Sequence, residues 1–130
     1  PLDLRMVSAN VFTAPEIATV GFTQADLDAG ARPAQVVTLP LAGNARAAVQ
    51  ALVDGFIKIF ATPNSGIVIG GVVVAPSASE LIHPLSIAVR HRLTVDQLAE
   101  AFTVYPSLSG SLAEAARRLH NQSGEQVITY

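Results

Sequence analysis

Short runs of β-branched and apolar residues that end at turn residues fill the first half of the chain. The run at residues 9–22 contains Ile17 and Val20 and closes near a glycine. A second run spans residues 34–41, and Pro40 places its end at a sheet edge because proline cannot donate a ladder hydrogen bond. These patterns predict two β-strands.

Two further runs are separated by a short stretch of strong turn chemistry. Residues 55–62 alternate their side chains between two faces, residues 63–66 read Pro-Asn-Ser-Gly, and residues 67–74 are rich in valine and isoleucine. Tight turns favour these four residue types, so the segment predicts an antiparallel β-hairpin. Gly70 and Gly71 lie inside its second strand, where glycines indicate a bulge or a close backbone approach.

Two short helices are predicted between these strands. Thr23 is a suitable N-cap with Asp26 three residues after it, and Gly30 is a suitable stop for the first helix. The alanine-rich segment at residues 44–51 suits one or two helical turns, because alanine has the highest helix propensity.

The second half of the chain repeats a helix-start pattern, in which Ser or Thr is followed three residues later by Glu or Gln. Such a pair caps the first helical turn reciprocally. The pairs are Ser77 and Glu80, Thr94 and Gln97, and Ser111 and Glu114. Pro84 lies too deep in the first of these helices, which predicts a kink or a helix that begins later. We expect the second helix to run to about residue 101, and the third to have an apolar face made of Leu112, Ala115, Ala116 and Leu119.

The order of these elements, strands first and helices last, is typical of the α+β class. We therefore predict an antiparallel β-sheet with helices packed on one face. We expect one domain over residues 1–120, followed by a polar C-terminal tail at residues 121–130 that frays.

Composition narrows the possible functional classes. Of the 130 residues, 50% are hydrophobic and 14% are charged, and the formal net charge is −2. This apolar share fits either a surface covered by a partner or a core built from many alanines, and composition leaves both open. The scattered basic residues and the absence of tryptophan argue against nucleic-acid binding.

The chain also lacks cysteine, which excludes disulfides, thiolate nucleophiles and thiolate zinc sites within it. No apolar run reaches the ~18–20 residues that a membrane helix needs, and the first residues do not resemble a signal peptide. We therefore expect no membrane association and, by default, a cytoplasmic location.

The polar residues form no complete catalytic constellation. His83 and His91 are separated by about 12 Å of helical rise, too far to chelate one metal, and His120 lies beside basic residues at a predicted helix end. Asp26 and Asp28 fit a solvated helix face, and the serines fit helix capping. We expect no metal site and no complete active site in this chain alone.

Five stretches of the chain occur in a familiar order: residues 11–21, the hairpin at 55–71, the segment Pro76-Ser-Ala-Ser-Glu-Leu-Ile, the helix at 94–101 and the segment Val104-Tyr-Pro-Ser-Leu-Ser. Together they resemble the C-terminal dimerisation (interface) domain of the FAD-dependent pyridine nucleotide-disulfide oxidoreductases, the family of dihydrolipoamide dehydrogenase and glutathione reductase. The resemblance covers roughly residues 9–119, and it implies the same α+β fold.

The last of these stretches departs from the pattern of the disulfide-reducing members. There it reads His-Pro-x-x-x-Glu, and the histidine acts across the dimer as the acid–base partner of a cysteine pair near the flavin, while the glutamate orients it. Tyr105 and Gly110 occupy the histidine and glutamate positions here, and Pro106 is kept. Tyrosine is a poor base at neutral pH, and glycine has no side chain with which to orient it. The departure resembles the branches that lack this histidine, the NAD(P)H quinone reductases and the soluble transhydrogenases.

The resemblance implies a homodimeric flavoprotein oxidoreductase whose upstream domains bind FAD and NAD(P)H. It also implies that Tyr105 and Pro106 lie at the partner subunit's flavin, with the Tyr105 carbonyl accepting a hydrogen bond from it and the ring lining the acceptor pocket. A Tyr105 that packs inside its own chain is the alternative. We expect no catalytic residue and no bound cofactor in the isolated chain.

Other interpretations stay open. The parent protein could be a dihydrolipoamide dehydrogenase or a soluble transhydrogenase, and a closely spaced pair of upstream cysteines would favour a disulfide reductase. The domain could also be a stand-alone interaction module. Glu114 lies one turn beyond Gly110, where it either partly replaces the lost carboxylate or caps Ser111.

Overall fold

Five antiparallel strands form the sheet of the computed structural model, which describes the backbone of residues 1–125 and the side chains of residues 1–120. The strands are β1 (Ala9–Val11), β2 (Glu16–Gly21), β3 (Gln35–Pro40), β4 (Phe56–Ala61) and β5 (Val68–Ala75). Their order across the sheet is β1-β2-β5-β4-β3. Pro40 therefore ends an edge strand, as its missing N–H predicts. The segment predicted as one strand at residues 9–22 is two paired strands.

Six α-helices are described: α1 (Gln24–Asp28), α2 (Ala45–Val49), α3 (Ala78–Leu81), α4 (His83–His91), α5 (Val95–Glu100) and α6 (Gly110–Glu125). Helices α3 and α4 pack on β2 and β5, α6 packs on β3 and β4, and α5 packs against α6. The predicted α+β architecture, an antiparallel sheet with helices packed on it, is confirmed.

The hydrophobic core lies between the sheet and the later helices. Ile57 and Ile59 point into it from β4, and Leu85 and Leu119 meet them from α4 and α6, all four fully buried. Because strand side chains alternate, these isoleucines share one face while Phe56 and Lys58 lie on the other. Each buried side chain of this size contributes roughly 1.5–3 kcal/mol to folding. The predicted apolar face of the last helix is confirmed, since its four residues are all buried.

The hairpin of β4 and β5 contains both a β-bulge and a close backbone approach, the two features that Gly70 and Gly71 indicated. The register shifts from the pair Phe60–Gly70 to the pair Ala61–Val68, which leaves Ile69 as an extra residue on β5. A Cβ on Gly70 would lie 2.3 Å from the Phe22 carbonyl oxygen, and neighbouring backbone therefore requires a glycine there.

Two of the predicted capping arrangements are present. Thr23 and Asp26 cap α1 reciprocally, and Thr94 and Gln97 do the same for α5. The hydrogen bonds that the Asp26 carboxylate accepts from the Thr23 backbone N–H and hydroxyl hold the pKa of Asp26 below its ordinary value.

The capping box predicted at Ser77 is wrong. Ser77 has a left-handed backbone (φ 58°), and its side chain makes no capping hydrogen bond. The Glu16 carboxylate of β2 instead accepts a hydrogen bond of 3.1 Å from the Ser79 backbone N–H in the first turn of α3. Helix α3 ends at Leu81, and α4 carries Pro84 in its first turn, so the alternative of a helix that begins later is confirmed.

The C-terminal helix runs further than predicted. Helix α6 continues past His120 to Glu125. Fraying is predicted for residues 121–130. The side chains from residue 121 onward and the backbone from residue 126 onward lie outside the described residues, so this stays a prediction. The domain boundary at residue 120 stays a prediction.

Candidate functional site

The loop that connects α5 to α6, residues 101–109, contains Tyr105 and Pro106, and Gly110 follows it directly; we call it the Tyr105 loop. Its first part is exposed, with side-chain exposures of 105% for Phe102, 78% for Val104 and 84% for Tyr105. The loop carries no charged residue. The alternative in which Tyr105 packs inside its own chain is therefore wrong. The Tyr105–Pro106 peptide bond is cis.

The second part of the same loop is held against the body of the domain. The Leu108 side chain packs on the hydrophobic core. The Ser107 hydroxyl accepts a hydrogen bond of 3.1 Å from the Gly110 backbone N–H, which caps the start of α6. The backbone N–H groups of Ser111 and Leu112 donate to carbonyls within the loop, at 3.0 Å each. An exposed apolar tip is thus carried on an anchored base.

Asn44, the N-cap of α2, joins this base to the segment that follows the edge strand β3. Its Oδ1 accepts hydrogen bonds from the backbone N–H groups of Arg46 (2.8 Å) and Ala47 (3.1 Å). Its Nδ2 donates to the Ser107 carbonyl oxygen (2.9 Å) and to the Ser111 hydroxyl (2.7 Å). The sequence suggested only the start of a short helix at this position, and a local pattern carries no signal for contacts 63 and 67 residues away.

Gly110, which the sequence resemblance predicts to occupy the glutamate position, is the first residue of α6. A Cβ built there would lie 3.6 Å from the Ser107 hydroxyl oxygen and 3.7 Å from that of Thr103, which are ordinary van der Waals distances. Packing therefore does not require a glycine here. A small side chain would therefore fit at this position beside the Tyr105 loop.

The role predicted for Glu114 in capping Ser111 is wrong, whereas its partial replacement of the lost carboxylate stays a prediction. Ser111 is buried inside α6 and bonds to Asn44, because the helix already begins at Gly110 and Ser107 supplies its cap. The Glu114 carboxylate instead lies 3.2 Å from Arg117 Nη2 and 3.4 Å from Arg118 Nε. These pairs are about half exposed, so each contributes roughly 0–1 kcal/mol. They hold Glu114 on the α6 surface.

A groove of about 550 Å³ runs between the Tyr105 loop, α2 and α6. Asn44 lines it from the start of α2, Tyr105 and Ser107 line it from the loop, and Glu114 and Arg118 line it from α6. The groove combines an aromatic ring with hydrogen-bonding groups, the mixture usual in small-molecule sites. The structure thus brings Tyr105, Pro106 and Gly110 together at one surface.

The three histidines do not contribute to this surface. His83 and His91 lie at opposite ends of α4. The His120 Nδ1 atom lies 2.6 Å from an Asp96 carboxylate oxygen and so links α6 to α5. The prediction that His120 ends a helix is wrong because α6 continues. No group of three or more His, Cys, Asp or Glu side chains within the described part of the chain could hold a metal ion. No helix in that part is long and apolar enough to cross a membrane.

Residues 7–116 match the family model for the pyridine nucleotide-disulphide oxidoreductase dimerisation domain. This match covers most of the chain, and the fold agrees with it. The chain belongs to this family, as the sequence predicted.

Relatives and solved structures agree with this assignment. An NAD(P)H dehydrogenase (quinone) from Mycobacterium tuberculosis is 57% identical over 92% of the chain, which covers 24% of that protein. A dihydrolipoyl dehydrogenase from Haloferax volcanii is 36% identical over 98% of the chain and 26% of its own length. The crystal structure of LpdA from Mycobacterium tuberculosis superposes with a TM-score of 0.89 at 57% identity, over 92% of this chain and 26% of that one. The chain spans about a quarter of the length of these relatives.

Proposed function

We propose that this dimerisation domain serves a homodimeric, FAD-dependent NAD(P)H oxidoreductase whose electron acceptor is a quinone. The observation that carries the proposal is an exposed Tyr105 on an anchored loop beside Gly110, which has no side chain and begins α6. The name of the relative with 57% identity supports a quinone as the acceptor. A cytoplasmic location is part of the same proposal.

The tip of the Tyr105 loop has the character of an interface core. Aromatic residues are enriched and charged residues are depleted at such cores. Phe102, Val104 and Tyr105 project from the tip with no charged neighbour in the loop. In the proposal, a second copy of the chain covers this apolar tip. A two-fold axis relates the two copies, so each copy contributes its tip to the other.

FAD and NAD(P)H belong to the upstream domains in this proposal. The described sheet has antiparallel pairings throughout, whereas a dinucleotide-binding βαβ unit needs parallel strands. The Tyr105 loop fits the edge of a flavin site formed by another subunit, because Tyr105 is largely exposed. When bound, FAD would supply hydride transfer from NAD(P)H and two-electron reduction of the quinone to the quinol, with two protons taken up.

The chain's own residues have limited and definite tasks in this reaction. The Tyr105 carbonyl accepts a hydrogen bond from the partner's flavin, and the Tyr105 ring forms one wall of the acceptor pocket. Pro106 fixes the chain direction beside it. Gly110 places no side chain at the position where the disulfide-reducing members have a carboxylate. No residue of this loop exchanges a proton with a thiol.

The competing proposal is a dihydrolipoyl dehydrogenase, which the relative with 36% identity favours. Steady-state oxidation of NAD(P)H by the full-length, FAD-loaded protein distinguishes the two when a soluble benzoquinone and lipoamide are compared as acceptors. We expect turnover with the quinone and lipoamide turnover at least ~100-fold lower, because an acid–base histidine is absent from the loop. Faster turnover with lipoamide, or no bound flavin, would refute the proposal.

A further inference from the structure

Asn44 uses all the hydrogen-bonding capacity of its side chain. A primary amide offers two N–H donors and a carbonyl oxygen with two acceptor sites. The two donors reach Ser107 and Ser111, and the oxygen accepts from two backbone N–H groups of α2. Rotating the amide by half a turn would place N–H groups against N–H groups. The orientation of Asn44 is therefore fixed.

The backbone of Asn44 is equally well fixed. Its backbone N–H donates a hydrogen bond of 2.8 Å to the Leu41 carbonyl oxygen. This bond closes the 3-10 turn Leu41–Gly43 after β3. Leu41 is fully buried in the core. Asn44 thus connects a rigid point beside the sheet to the Tyr105 loop through a side chain that has a single arrangement.

The hydrogen bond to Ser107 acts close to Tyr105. The Ser107 carbonyl group is two residues beyond Tyr105 in the chain and directly follows Pro106. The hydrogen bonds of the Ser107 and Ser109 side chains, by contrast, stay within the loop and the first turn of α6. They hold the loop in shape, whereas the bonds from Asn44 hold it in place relative to the sheet.

We propose that Asn44 is a positioning residue that sets where Tyr105 meets the acceptor site of the partner subunit. This inference rests on the proposed function. Asn44 acts through the Ser107 carbonyl, because its amide makes all of its hydrogen bonds within the chain. Displacing a group at a reacting centre by about 1 Å can reduce a rate about 100-fold, so a hydrogen bond at the base of the loop has kinetic consequences.

The test separates the two sets of hydrogen bonds that Asn44 makes. Asn44→Asp and Asn44→Ser both keep an oxygen that caps α2, because Asp and Ser are good N-cap residues, but neither donates the pair of bonds to Ser107 and Ser111. Asn44→Asp also directs a carboxylate oxygen at the Ser107 carbonyl. In the full-length, FAD-loaded protein we expect both variants to lower kcat/KM for a soluble benzoquinone about tenfold and to change the flavin absorption spectrum.

Thr23→Ala is the matched control. It removes a helix cap of the same kind at α1, far along the chain from the Tyr105 loop. We expect its melting temperature to fall as much as that of the Asn44 variants or more, with kcat/KM within about twofold of wild type, since loop position rather than stability sets the rate. A similar loss of kcat/KM in Thr23→Ala would overturn the inference, because general destabilisation would then explain it.

The remaining outcomes separate this inference from the proposal beneath it. Asn44 variants with wild-type kcat/KM and an unchanged flavin spectrum, alongside a Tyr105→Ala variant that has lost activity, would overturn the positioning role and leave the proposed function standing. A wild-type protein that binds FAD but does not reduce the quinone would overturn both.

Discussion

Replacing Tyr105 with alanine lowers kcat/KM for the quinone roughly 10- to 100-fold in the full-length protein. The lost ring is one wall of the acceptor pocket, and burying an aromatic side chain of this size is worth about 1.5–3 kcal/mol, with about 1.4 kcal/mol for each factor of ten. Tyr105→Phe stays within about threefold of wild type, because the ring and the backbone carbonyl are both retained. Steady-state kinetics at varied quinone concentration measures both variants.

Fold stability should not change with Tyr105→Ala. The side chain is 84% exposed and packs on no core residue of its own chain. Val53→Ala provides a control, since Val53 is similarly exposed at 78% but lies in a different loop. Equal losses of kcat/KM in the two alanine variants, or a larger effect of Tyr105→Phe than of Tyr105→Ala, would argue against a pocket wall formed by the ring.

Replacing Gly21 with alanine destabilises the domain by roughly 2–5 kcal/mol. Part of this comes from the left-handed backbone of Gly21 (φ 73°), which disfavours any side chain by about 1–2 kcal/mol. The rest comes from crowding, because the new Cβ would lie 2.2 Å from the Ile69 carbonyl oxygen and 2.7 Å from Gly70 Cα. Backbone atoms in a paired strand cannot move aside easily. Urea denaturation measures the change in the free energy of unfolding.

Gly30 offers a control with nearly the same backbone conformation. Its φ is 76°, but no atom lies within 4 Å of a Cβ built there. Gly30→Ala should therefore destabilise by about 1 kcal/mol only, which isolates the conformational part. Similar losses in both variants would show that the β2–β5 contact at Gly21 relaxes to accept a side chain.

Local sequence patterns were sufficient for most of the fold. The alternation around Ile57 and Ile59, the turn between β4 and β5, and the edge proline at Pro40 each depend on residues adjacent in the chain. The capping boxes that begin at Thr23 and Thr94 are present for the same reason. Hydrophobic periodicity and turn residues predict those elements that are stabilised by contacts between residues close in the chain.

The same capping pattern failed at Ser77 for a tertiary reason, and at Ser111 because a serine that lies earlier in the chain caps the helix. Glu16, on β2 and 63 residues away in the chain, already supplies the acceptor at the start of α3. Ser107 starts α6 earlier than expected, which moves Ser111 into the helix and frees its hydroxyl for Asn44. A four-residue pattern contains no information about an acceptor brought in from elsewhere in the fold.

The candidate site was only partly predictable. Tyr105, Pro106 and Gly110 came from resemblance to a family motif, and the residues alone left the exposure of Tyr105 open. Asn44 could not be found, because its significance lies in hydrogen bonds to Ser107 and Ser111, which are 63 and 67 residues away in the chain.

The position of Tyr105 in the full-length, FAD-loaded dimer is the most direct test of the proposed role. A crystal structure of that dimer gives the distance from the Tyr105 carbonyl oxygen to the nearest flavin nitrogen. We expect about 2.7–3.2 Å, a hydrogen-bond distance, to the flavin of the partner subunit. A Tyr105 that lies in solvent, or that contacts only the flavin of its own subunit, would contradict a loop that completes the partner's site.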